Sequence, residues 1–106
     1  MKEKKVVEIQ IMQQFEKLAP LFEYDFLYEN IYEECIGQII LRGHEGDILA
    51  TVLSFKLELN KDLNSGVFIF YHSQGEFKRM KFDFSDIQSY LDVIIFVQNR
   101  LNQKNQ

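Results

Sequence analysis

The sequence predicts a single α+β domain. It has a four-stranded, mostly antiparallel β-meander with helices packed on one face, a two-layer sandwich in the order α-(α)-β-β-β-β-α. Three observations predict it. Between Cys35 and Phe84, four apolar or alternating runs are separated by three polar turns. Before them, residues 2–18 carry an apolar stripe at helical spacing. After them, a helix-start signal at Ser85 opens a second such stripe.

The first helix, residues 2–18, follows from Val7, Ile11, Phe15 and Leu18, spaced by four, four and three. Glu8, Gln10, Gln14 and Lys17 take the wet positions. Pro20 ends the helix, since it lacks an amide donor and disfavours helical geometry in the residue before it.

Residues 21–34 carry two periods at once. Phe22, Tyr24, Phe26 and Tyr28 alternate with Glu23, Asp25 and Leu27, as in a strand. Tyr24, Leu27, Tyr28, Ile31 and Cys35 fit a helix equally well. Length and the many Glu residues favour a helix over 25–34.

The four strands rest on turns and alternation. Residues 35–42 form a short apolar run that stops at Gly43-His44-Glu45-Gly46, a composition suited to a hairpin loop. In 47–59, Thr51, Leu53, Phe55, Leu57 and Leu59 share one face and Val52, Ser54, Lys56 and Glu58 the other. Residues 60–66 are loop by composition. Residues 67–72 are apolar on both faces, as a central strand is. Ser73-Gln74-Gly75 turns the chain, and 76–84 sets Met80, Phe82 and Phe84 against Arg79, Lys81 and Asp83. Such short connections favour antiparallel neighbours.

Ser85-Asp86-Ile87-Gln88 has the S-x-x-Q form of a capping box. Asp86 and Arg100 complement the two ends of the helix dipole. Ile87, Leu91, Ile94 and Leu101 draw the main stripe, with Tyr90 and Val97 beside it. Residues 93–97 are apolar around the whole axis, more than a helix with one wet side needs. The helix is therefore wedged between sheet and first helix, or it meets another molecule, such as a second copy through Val93 and Phe96. The predicted core is Leu53, Phe55, Leu57, Phe68, Phe70, Met80, Phe82, Ile87, Leu91, Ile94, Ile11 and Phe15.

Composition narrows the class. A chain of 106 residues with 46% hydrophobic and 26% charged residues is one globular domain and not a disordered one. The single cysteine cannot form an internal disulfide, which points to a reducing compartment. Glu8, Gln10, Gln13 and Gln14 interrupt any signal-peptide core, and the longest apolar run is the five residues 93–97. The expected location is cytoplasmic, with no membrane role. Nine Lys against three Arg, abundant Ile and little Ala suggest A/T-rich coding, as in an A/T-rich bacterium or a mobile element within one.

No catalytic set emerges. His44-Glu45 matches the first half of the H-E-x-x-H zinc motif, but Ile48 stands where the second His is required. Cys35 reads as a small buried hydrophobe rather than a nucleophile served by His44 or His72. Gly43 and Gly46 lack the lysine and helix of a phosphate loop. No metal, cofactor or enzymatic activity is expected.

Charge supplies the functional expectation. Between Leu18 and Leu41 there are five acids, Glu23, Asp25, Glu29, Glu33 and Glu34, and no Lys or Arg, in a chain of net charge −4. With Tyr24, Tyr28 and Tyr32 they form an acidic, aromatic segment over 22–34. Such a surface suits a basic protein partner, including one that itself binds nucleic acid. The expected function is a small non-catalytic protein-binding module of inhibitor, immunity or adaptor type. The alternative is a regulatory nucleic-acid binder using Lys78, Arg79 and Lys81 on the basic strand at 77–82.

Overall fold

The computed structural model describes residues 2–31, 33–72 and 74–103. Helix α1 (Lys2–Leu18) has the bounds the sequence predicts. It buries Ile11, Met12, Phe15 and Leu18 and runs into a 3₁₀ turn, Ala19–Phe22, that contains Pro20. Glu23 closes this turn at φ 68°, and its amide donates to Pro20 O at 3.0 Å. A left-handed residue that is not glycine costs about 1–2 kcal/mol, which two backbone bonds at the turn help to offset.

Five strands follow: β1 (Asp25–Ile31), β2 (Glu34–Arg42), β3 (Ile48–Leu59), β4 (Ser65–His72) and β5 (Gly75–Asp83). They form one antiparallel sheet in sequence order. Helix α2 (Ile87–Asn102) completes the chain. The sheet thus has five strands rather than four, because the segment expected to be helical over 25–34 is β1 and the start of β2. Its alternation decides this once β2 is available as a neighbour. Ile31 pairs with Glu34, so the two segments form an antiparallel hairpin. Phe26, Tyr28 and Asn30 then share the inner face of the sheet.

Both helices lie on that inner face. Its core is aromatic. The Phe55 ring sits 4.9 Å from Phe15 and 5.8 Å from Phe68, and Phe68 lies 5.1 Å from Phe82. Each such buried side chain contributes about 1.5–3 kcal/mol of burial free energy. The rings of Phe26 and Phe55 cross over Gly37 on β2, where a Cβ would meet Phe55 Cζ at 2.7 Å. No other residue type fits there without moving a ring.

Helix α2 is rotated from the predicted stripe. Tyr90, Val93, Val97 and Leu101 are its buried residues, while Ile87 and Leu91 face outward with Ile95. A helix that is apolar all round leaves its inward face undetermined by sequence, and packing on β5 chooses it. Val93 is fully buried and Phe96 packs 4.8 Å from Phe70, so the two residues expected to meet a second copy face the chain's own core. The capping box does not form either. Asp86 precedes the helix with no side-chain cap, and the Ser85 hydroxyl accepts instead from Asn64 Nδ2 at 3.0 Å. The Ser89 hydroxyl donates to Asp86 O at 2.7 Å and accepts from the Asp83 amide at 2.8 Å.

Two features position the surfaces. The outer face of the sheet carries a row across all five strands: Glu29, Ile36, Lys56, Ile69 and Arg79. The β2–β3 hairpin also extends beyond its neighbours. Strand β4 pairs only with residues 54–59 of β3, and β1 reaches only Ile40 of β2. Residues 41–51 therefore extend from the sheet as a two-stranded arm, while Leu53 at its base, paired with Ile39, is buried in the core. Among the described residues, no helix is long and apolar enough to cross a membrane.

Candidate partner-binding surface

The acidic segment folds as an edge of the sheet. Strand β1 pairs with β2 alone. Asp25 and Glu29 project from its outer face, and Glu23, Glu33 and Glu34 flank it. All five acids are exposed. Glu33 sits in the β1–β2 turn at φ 65°.

The fold brings cations to this segment that linear order hides. Asp25 Oδ2 lies 2.9 Å from Arg42 Nε on β2, and Glu34 Oε1 lies 3.6 Å from Lys56 Nζ on β3. Glu33 shares a cavity of about 370 Å³ with Lys4, Lys5, Glu8 and Asn30. Glu29 makes no ion pair among the described residues. The pairs that do form are solvent-exposed and worth about 0–1 kcal/mol each, so an incoming cation can replace them at small cost.

The two described tyrosines of the segment do not join the acids. Tyr24 is buried in the core, and Tyr28 is half-buried on the inner face. Tyr32 lies outside the described residues. Among the described residues the surface is acidic without the tyrosines, because alternation sends Phe26 and Tyr28 of β1 inward.

Behind β1 lies a polar cluster that the sequence pattern conceals. Glu8, expected to be wet, is only 2% exposed. Asn30 Nδ2 donates to Glu8 Oε1 and to the Tyr28 hydroxyl, both at 3.2 Å, and Tyr28 contacts the Cys35 thiol. Burial raises the Glu8 carboxyl above its ordinary value, opposed by Lys4 and by the Asn30 bond. Burial, reinforced by the Glu8 charge, pushes the Cys35 thiol up to about 12. A thiol so protonated is a poor nucleophile at neutral pH. Glu8 and Asn30 are 22 positions apart, and nothing in the spacing of α1 signals the pair.

The basic residues of β5 are divided between faces. Arg79 and Lys81 stand on the outer face, with Arg79 held by Glu76 at 2.6 and 3.1 Å. Lys78 points the other way, 5.5 Å from the Phe96 ring centre. The aromatics of this strand are occupied as well. Phe82 is buried, and Phe77 is sandwiched between His72 at 5.0 Å and the Arg100 guanidinium at 4.9 Å. A sheet that reads single strands stacks bases on outward aromatics beside its cations, and β5 does not offer that pairing.

No three His, Cys, Asp or Glu side chains among the described residues converge as a metal site. His44 lies exposed in the β2–β3 loop. No protein-family model, no curated protein and no solved structure matches this chain.

Proposed function

We propose that this chain is a non-catalytic protein-binding module, of inhibitor, immunity or adaptor type, that takes a basic partner on the β1 edge. The observation that carries the reading is the coincidence of the acidic segment with an open sheet edge. Alternate residues of an edge strand turn their amides and carbonyls away from the sheet, where an extended segment can pair with them. Lys or Arg at alternate positions of that segment would stand beside Asp25 and Glu29 on the outer face. A protein whose own surface is built for nucleic-acid phosphates has the required charge.

The test is capture from the source cells on the tagged chain, with and without nuclease. The expected result is a stoichiometric protein that survives nuclease and is released by salt. Recovery that disappears with nuclease would favour direct nucleic-acid binding through Arg79 and Lys81 instead.

A further inference from the structure

The β2–β3 arm exposes apolar side chains on an uncharged strand. Its β3 strand, Ile48 to Leu53, reads Ile-Leu-Ala-Thr-Val-Leu, with no charge, proline or glycine; its first four residues are exposed, while Val52 packs on the core and Leu53 is buried in it. Exposed strand edges ordinarily carry charges that discourage pairing. On β5 these are Lys78, Arg79 and Lys81, and on β1 the like charges of Asp25 and Glu29 oppose a second copy of that strand while leaving it open to a basic one. The arm instead exposes Leu41 at 38%, Ile48 at 53% and Leu49 at 60%.

At the base of the arm, where β4 ends, a cavity of about 560 Å³ opens beside residues 51–54. Tyr71, His72 and Arg100 form its far wall. Arg100 stacks on Phe77 and makes no ion pair among the described residues. At the tip of the arm, about six residues or roughly 20 Å away, the loop carries Glu45 and Asp47. Arg42 Nη1 donates to Gly46 O at 2.7 Å beside these two acids, so the tip keeps a net negative charge, the base is basic, and the stretch of β3 between them is uncharged.

We propose that two copies of the chain pair through these arms, antiparallel about a two-fold axis near Ala50. That arrangement lays each acidic tip beside the other copy's His72 and Arg100. It brings Leu41, which pairs with Ala50, close to its own counterpart at the axis, and sets Ile48 and Leu49 against Val52 and Thr51 of the other copy. An isologous contact needs such a self-complementary strip, and this arm has one. The register shifts at Ile39/Ile40 and Leu41/Arg42 leave Val52 and Leu49 as extra residues on β3. They bend the arm, so the two arms meet through side chains and not as one unbroken ladder.

Sedimentation equilibrium on the full chain tests this. The wild type should run at twice 12.7 kDa. Leu49→Lys should halve that mass while leaving the far-ultraviolet spectrum and the cooperative unfolding intact. Arg100→Glu should weaken the dimer at least tenfold, and Arg100→Glu with Glu45→Arg and Asp47→Arg should restore it. Ile95→Lys on α2 should change nothing. A wild type that stays monomeric at its highest soluble concentration overturns the proposal. So does a dimer that survives Leu49→Lys, one split by Ile95→Lys, or a charge swap that fails to rescue.

Discussion

Asn30 on β1 donates its side-chain amide to Glu8 on α1 at 3.2 Å, and Glu8 has almost no exposed surface. The contact joins the first helix to the edge strand that carries the acids. It also places an ionisable group where its charge is disfavoured.

Replacing that charge should stabilise the fold. The Glu8 carboxyl titrates above its unfolded value because burial disfavours the ionised form. Its contribution is most favourable below the unfolded pKa and is lost as pH rises through the folded one. Glu8→Gln keeps an acceptor for Asn30 and removes the charge. Its thermal midpoint should exceed the wild type's at neutral pH, and the gain should shrink once the pH falls below the carboxylate range. A loss of stability at neutral pH would show that Lys4 and Lys5 outweigh burial.

Cys35 should be silent in the native state. Its thiol is buried and its pKa is pushed up to about 12. A thiol-reactive dye at neutral pH should label the denatured chain fully and the native chain only at the rate of opening. Rapid native labelling would contradict the placement of Cys35 behind Tyr28.

Phe55→Ala should be among the most damaging single changes. The ring contacts Phe15, Phe26, Phe68 and Phe70, so its loss leaves a cavity between helix and sheet. The expected cost is about 3–5 kcal/mol, read as a lower urea midpoint with little change in slope. A cost below about 1 kcal/mol would mean that the neighbouring rings collapse into the space.

Much of this fold is legible in the sequence, and the misses share one cause. Strands β2 to β5 fall within two residues of their predicted bounds, because glycine-bearing turns and alternation are local signals. The faces of β5 and of β3 from Leu53 onward are also as predicted: Leu53, Phe55 and Leu57 are buried, and Phe82 opposes Lys81; before Leu53 the bulge at Val52 shifts the alternation, so Val52 packs on the core and Thr51 is exposed. Helix α1 is marked by its stripe and by Pro20. Strand β1 is different, since residues 25–31 fit two periods and only pairing with β2 selects one. The inward face of α2 is set by Phe70 and Phe77, which pack against Phe96, and not by its own pattern. The acids over 23–34 are visible in the sequence. That Arg42, Lys56, Lys4 and Lys5 come to meet them is a consequence of strand register and helix docking. The burial of Glu8 belongs to the same class of long-range consequence.

The β1 edge is proposed to hold a basic partner by charge. Reversing Glu29, Glu33 and Glu34 to Lys tests it most directly, with the amount of partner captured as the readout. All three side chains are exposed, so the fold and its unfolding midpoint should change little. Capture should fall at least tenfold while the far-ultraviolet spectrum is preserved. Undiminished capture by the folded triple variant would contradict it.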